Sequence, residues 1–310
     1  MRCNQAGFRC DCEVTPRKPG GRFRVIVFGD SYTAGDGVSN GKRYTDLLES
    51  RLEGTEVLNF GLPGSGPDQQ YLAYQVFAHE LEYDLLIIST QVSNISRLGG
   101  EHLTLGAVDG RVVCRSKPYF RLEDGELVLE NQPVPREVRP LDPSEWEAAK
   151  DRGAGSTKRL VRKIYRRWPG LHDLALWARR VHSPAEYDDP NDPTWRLLKA
   201  ILVAWIRQSR APVILCPIPT FRHVNKTLPA ASYLRRFAEL GAEERVEVVD
   251  VLPAFWRLSA ADRKRSRFPI DEHPSELGHE VIAGALEPHV RAHYERWTAE
   301  SPEGRKVADA

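Results

Sequence analysis

The apolar run Phe23-Arg-Val-Ile-Val-Phe28 breaks at once into Gly29-Asp30-Ser31 and then into the glycine-rich stretch Tyr32-Thr-Ala-Gly-Asp-Gly37. A short run of this kind reads as a buried β-strand, and the glycines behind it stop the strand from continuing. Ser31 is therefore placed at the carboxyl end of an early strand. Open α/β sheets bind their ligands at that end. The feature constrains the fold and marks a reactive side chain, but a serine hydroxyl needs a base beside it before it becomes a nucleophile.

Four further runs read as strands: Thr55–Phe60, Asp84–Ser89, Pro212–Cys216 and Arg245–Val251. Several are continuously apolar, as parallel strands covered on both faces are. Helical patterns alternate with them. Tyr44, Leu47, Leu48 and Leu52 share one face of a helix that stops at Gly54. Residues 68–82 predict a second crossover helix. Asp192-Pro193 is a helix start, with an Asp cap and Pro in the first turn, and Trp195, Leu198, Leu202, Trp205 and Ile206 form the apolar stripe behind it. Ser275 is the expected cap of a last helix running toward Trp297. Alternation of this kind predicts a three-layer α/β/α doubly wound parallel sheet of about five strands.

One stretch breaks the rhythm and reads as a large insertion after the third strand. Asp124-Gly125 predicts the turn of a β-hairpin over residues 117–130. Prolines 133, 135, 140 and 143 then mark an extended linker. Behind it comes a basic amphipathic run containing Lys158, Arg159, Arg162, Lys163, Arg166 and Arg167. This run is either a solvated helix face or a peripheral contact for an anionic surface or substrate. The expected organisation is an N-terminal tail (1–22), a core in two parts (23–98 and 196–298) separated by the insertion (99–195), and a C-terminal tail (299–310). The insertion is expected to wall the substrate site, because it leaves the core beside the third strand's end.

Composition closes off several function classes. The net charge of +1 gives no global case for nucleic-acid binding, and no apolar run is long enough to span a bilayer. The first residues carry no apolar leader segment, so the expected location is the cytoplasm. Cys3, Cys10 and Cys12 cluster near the start without zinc-type pair spacing. They are expected to be reduced thiols in a disordered tail, and neither a metal nor a cofactor is expected. Cys216 ends an apolar run and is expected to be buried.

The base that Ser31 needs is offered near the other end of the chain, in Asp271-Glu-His273-Pro-Ser-Glu-Leu-Gly-His279. Two more segments stand between: Asn59-Phe-Gly-Leu-Pro-Gly64 after the second strand and Gln91-Val-Ser-Asn94 after the third. In this order the four segments resemble the blocks of the SGNH (GDSL-type) hydrolase family, and they span most of the chain outside the insertion. The resemblance implies a flavodoxin-like SGNH fold. It also implies a Ser31–His273–Asp271 triad and an oxyanion hole built from the Ser31 N–H, the Gly64 N–H and the Asn94 side-chain amide. Two departures stand out. Ser93 and Ile95 flank Asn94 where the family commonly has Gly-x-Asn-Asp, and the last block is Asp-x-His rather than Asp-x-x-His. Glu272 is the other candidate acid.

The chemistry is coherent without the family name. His273 would take the hydroxyl proton, Asp271 would fix its tautomer, and the donors would meet charge as it develops. No Gly-x-Ser-x-Gly elbow is present. Asp30 is expected to brace the turn, and His279 to pack on the last helix. The expected activity is a serine ester hydrolase acting on an O-acyl group, acetyl foremost, of a carbohydrate or related small metabolite. Two alternatives remain: an acyltransferase with the same triad, or a catalytically silent carbohydrate- or membrane-binding module.

Overall fold

Five parallel strands form the centre of the computed structural model, which describes residues 3–10, 13–108, 111–136, 138–140, 184–269 and 272–300. They are β1 (Phe23–Gly29), β2 (Thr55–Gly61), β3 (Leu85–Gln91), β9 (Val213–Ile218) and β10 (Glu247–Val248), in the order β10-β9-β3-β1-β2. Numbered within the core alone, this is the 2-1-3-4-5 order of flavodoxin-like doubly wound sheets. Every residue of β1, β3 and β9 is buried, which is why these segments read as largely apolar runs.

Helices cover both faces. They are α1 (Ser31–Ala34), α2 (Tyr44–Arg51), α3 (Pro67–Phe77), α4 (Pro193–Gln208), α5 (Phe221–Val224), α6 (Ala231–Glu244), α7 (Leu252–Trp256), α8 (Ala260–Arg265) and α9 (Glu276–Glu300). The Asp192 side chain accepts from the Thr194 and Trp195 N–H groups and so starts α4 as the sequence predicts. The chain steps from β1 out to β2, then back across β1 to β3. That reversal opens a crevice at the carboxyl ends of β1 and β3.

Three elements differ from expectation at their ends. The second crossover helix stops at Phe77 instead of residue 82. The last strand is only Glu247–Val248, because the Asp250 side chain accepts the Leu252 N–H at 2.9 Å and turns the chain into α7. Ser275 precedes α9 and its carbonyl accepts the His279 N–H at 2.9 Å, but its hydroxyl donates to the Arg265 carbonyl at 2.6 Å, with no helix N–H bonded to it among the described residues.

The N-terminal segment is docked, which corrects the expectation of a disordered tail; of its thiols Cys3 is free as expected, Cys10 is not, and Cys12 lies outside the described residues. Phe8 is buried edge-on against Phe60 and Phe77, with ring centroids 4.9 and 5.2 Å away. The Arg9 guanidinium donates to the carbonyls of Gly35 and Val38, and to Asn40 at 2.9 Å. Cys10 is disulfide-bonded. One phenylalanine and one arginine dock this polar segment, too few residues to show as a periodic pattern.

The insertion holds more strand than the sequence predicts. The hairpin is present as β6 (Tyr119–Glu123) and β7 (Glu126–Glu130), with Asp124 and Gly125 both at positive φ. Such a two-residue turn matches the right-handed twist of its strands. Beside it, β4 (His102–Val108), β5 (Arg111–Ser116) and β8 (Val138–Pro140) make a small antiparallel sheet where only linker was expected for β8. The hairpin packs on α3 and α4. Phe120 lies 5.8 Å from the Tyr71 ring, and the buried Lys117 ammonium meets the buried Asp68 carboxylate at 2.7 Å. The basic run at residues 158–167 lies outside the described residues.

Candidate active site

The nucleophile turn is built from backbone constraints upward. A side chain on Gly29 would collide with the Thr33 side chain and the Ser89 carbonyl, so α1 can fold back tightly over β1 only if this residue is glycine. Asp30 caps α1, its Oδ1 accepting the Tyr32 N–H at 2.9 Å. Asn59 ties the same turn to β2, donating to the Thr33 carbonyl at 2.7 Å and accepting the Gly61 N–H at 2.9 Å. Behind it, the Tyr44 hydroxyl bonds Thr33 at 2.8 Å and Ser89 at 2.9 Å.

The base arrives on the segment that leads into α9. The Phe268 N–H donates to the His273 carbonyl and the Ser275 N–H to the Ser266 carbonyl, both at 3.0 Å, which ties residues 266–268 to residues 273–275. The Tyr32 hydroxyl donates to the Glu272 carbonyl at 2.5 Å, and its ring lies 5.4 Å from the His273 ring. The residue next to Ser31 thus holds the loop that carries the histidine. In that position His273 Nε2 and Ser31 Oγ stand 2.8 Å apart, although 242 positions separate them. Asp271 lies outside the described residues. Glu272, the other candidate acid, is exposed at the rim.

Around this pair is an open cleft of about 360 Å³, bordered by Ser31, Tyr32, Gly64, Asn94, Arg97 and His273 among others. Its described lining contains no aliphatic side chain. Gly64 sits at φ +76°, a left-handed conformation that glycine adopts without strain. Ser31 is the first residue of α1, a position where the N–H has no intrahelical partner. Among the described residues neither the Ser31 nor the Gly64 N–H donates to a protein acceptor.

Asn94 Nδ2 donates to Asp30 Oδ2 at 2.7 Å. A carboxylate only accepts, so the amide NH2 faces it, and among the described residues its second N–H meets no protein acceptor. Burial pushes the Asp30 carboxyl above the usual carboxylate range, opposed by the bonds from Asn94 and the Tyr32 N–H. The unusual flanks of Asn94 have local causes. The Ser93 N–H and hydroxyl both bond Gln91 Oε1, at 2.8 and 2.7 Å, and Ile95 is buried in the core.

His279 is fully buried, accepts the Tyr44 N–H on Nδ1 at 3.2 Å and stacks on the Tyr44 ring. Burial pushes its pKa down to about 3. It serves packing, as the sequence suggests.

Three residues of this neighbourhood carried no role at the level of sequence: Tyr32, Asn59 and Arg97. Tyr32 follows the Gly29–Ser31 block and Asn59 opens the second block, but the Glu272 and Thr33 carbonyls that they bond lie far from them in sequence. Arg97 follows the third segment by one 3-10 turn and carries no pattern of its own. None of the insertion's described residues borders the cleft. Among the described residues no group of His, Cys, Asp or Glu is arranged to hold a metal.

No family profile and no curated protein matches this chain. Solved structures do. A lipolytic G-D-S-L family protein from Veillonella parvula is 12% identical, with 85% of this chain and 96% of that chain covered and a TM-score of 0.46. The lipase/acylhydrolase from Enterococcus faecalis is 14% identical, covering 87% and 96%, with a TM-score of 0.46. Axe2, an acetylxylan esterase from Geobacillus stearothermophilus, is 13% identical, covering 87% and 95%, with a TM-score of 0.47. Over most of its length the chain is therefore similar to G-D-S-L lipolytic and acetylxylan esterase structures.

Proposed function

We propose that this protein is a serine ester hydrolase that removes a short O-acyl group, acetyl foremost, from a polar alcohol such as a carbohydrate or related metabolite. The observation that carries the proposal is the 2.8 Å contact between Ser31 Oγ and His273 Nε2 at the floor of a polar cleft. In this reading His273 takes the hydroxyl proton as Ser31 attacks the ester carbonyl. The tetrahedral intermediate places negative charge on the former carbonyl oxygen. The Ser31 N–H, the Gly64 N–H and the second Asn94 N–H supply the donors for it. His273 then gives its proton to the departing alcohol, leaving an acyl-serine. Water, deprotonated by the same imidazole, releases the acid and restores Ser31. Asp271, two positions before His273 in sequence, is assigned to the other ring nitrogen.

Two features favour hydrolysis of short esters. An apolar slot would be needed to bind a long acyl chain, and the described lining has none. The cleft is also open, so water reaches the acyl-enzyme, which favours hydrolysis over transfer to a second alcohol. The test is steady-state hydrolysis of 4-nitrophenyl esters from acetate to decanoate. The expected result is a kcat/KM highest for acetate and falling with chain length. Turnover that rises with chain length contradicts the substrate class, and no turnover of any ester contradicts the activity.

A further inference from the structure

Although the buried Asp30 carboxyl lies within its electrostatic reach, Arg97 makes no ion pair with a carboxylate among the described residues. Its Nη1 donates to the Ser65 carbonyl at 2.8 Å, one residue from Gly64, and its side chain borders the same cleft as Ser31 and Asn94. Lys117 differs: its ammonium is held at 2.7 Å by the buried carboxylate of Asp68. A guanidinium presents five N–H donors in a planar fork. The bond to Ser65 uses one and orients the rest, so the fork is arranged before any ligand arrives. A fork of this kind matches the paired oxygens of a carboxylate, phosphate or sulfate.

We propose that Arg97 is a specificity-determining residue, selecting esters whose alcohol portion carries an anionic group. The inference rests on the esterase reading above. The anion belongs to the alcohol portion because an acetyl group has nowhere to carry one. Asp36 and Glu272 border the cleft too, Asp36 just after α1 and Glu272 just before His273, whereas Asp30, which also borders it, is buried and bonded by Asn94 and the Tyr32 N–H. The charges of Asp36 and Glu272 disfavour an anion on their side and so favour the one bordered by Arg97.

The test compares charge selectivity within each enzyme, so that any effect of Arg97 on the Gly64–Ser65 turn cancels. The substrates are 3- and 4-acetoxybenzoate and the neutral 3- and 4-acetoxybenzamide, with 4-acetoxyphenyl phosphate and sulfate to rank the anions. The wild-type protein should prefer at least one anionic ester over its neutral counterpart by about tenfold in kcat/KM at low salt, as expected for a charge-assisted contact in a site open to solvent. Arg97→Gln should bring that ratio to about one, Arg97→Lys should retain part of it, and added salt should reduce it in the wild type. Equal ratios in the wild type and Arg97→Gln overturn the proposal.

If no aryl ester is turned over, the rate of Ser31 labelling by a neutral fluorophosphonate gives the answer. Benzoate or sulfate should slow labelling of the wild type and not of Arg97→Gln, and equal protection of both overturns the proposal. If Ser31 takes no fluorophosphonate at all, the esterase reading has failed, and this inference falls with it.

Discussion

The two halves of the Ser31–His273 pair are held in different ways. Ser31 follows a strand buried along its whole length, and the turn behind it is locked by Asp30, Asn59 and the Tyr44 hydroxyl. His273 sits on a loop whose position rests on a few hydrogen bonds, one of them from Tyr32. Among the described residues, nucleophile placement is thus over-determined by the core, while fewer contacts tie down the segment that carries the base. A substitution that removes one contact on the nucleophile's side leaves several others. On the base's side, loss of the Tyr32 bond is expected to disturb the imidazole more.

The largest effect should come from deleting the chemistry and leaving the scaffold intact. Ser31→Ala removes a hydroxyl from a turn that does not depend on it, so thermal unfolding should match the wild type. Its kcat on a small acetyl ester should fall by about 10⁴-fold or more, the scale seen when a catalytic nucleophile is removed. A retained kcat would show that the buried turn carries no nucleophile.

Next in size is the oxyanion donor. Asn94→Ala should lower kcat by about 10²-fold with KM changed only a few-fold, because the interaction strengthens in the transition state. The substitution also strips Asp30 of a partner, so thermal unfolding on the same sample must accompany the kinetics. A near-wild-type kcat in a folded variant would make Asn94 a brace for Asp30 and nothing more.

Tyr32→Phe probes the base's side directly. The ring stays against His273 and only the bond to the Glu272 carbonyl is lost. The expected loss is about tenfold in kcat with KM unchanged, from one hydrogen bond of ordinary strength. Asn59→Ser is the counterpart on the nucleophile's side. Equal losses in kcat for the two variants would break the contrast between the halves.

A further effect concerns stability and leaves the chemistry untouched. His279 and His273 flank the start of α9, but His279 is buried and neutral, its pKa held down to about 3. Unfolding lets it take a proton below about pH 6.5. The stability linked to its neutral form is therefore complete above that pH and is lost as pH falls toward 3. Between pH 6.5 and 5 the loss is about 2 kcal/mol. His279→Asn keeps an acceptor for the Tyr44 N–H and should remove that part of the acid sensitivity. Urea unfolding at the two pH values measures it, and an unchanged pH dependence would mean that other groups dominate.

The same contrast explains what could be read from sequence. Strands β1, β2, β3 and β9 were legible because burial makes them largely apolar, and the α4 start was legible because Asp192-Pro193 is local chemistry. Ser31, Gly64, Asn94 and His273 were legible as motif blocks, each beside a strand end or before the last helix. Tyr32 and Arg97 were not, because what they do depends on the Glu272 and Ser65 carbonyls, which the fold brings to them. In the insertion, Asp124-Gly125 marked one hairpin correctly. Asp109-Gly110, between the apolar stretches that become β4 and β5, is the same kind of signal. It is hidden when the segment is read only for helix–strand alternation. The docked N-terminus was illegible because its hold is Phe8 and Arg9 against residues far along the chain.

The central claim is that His273 activates Ser31, and the most direct measurement is covalent. Intact-mass analysis after exposure to a fluorophosphonate should show one adduct on the wild type, located at Ser31, and none on Ser31→Ala. His273→Ala should label at least about 10²-fold more slowly, the usual scale of general-base assistance. Equal labelling of all three proteins, or no labelling of a folded wild type, would contradict the account.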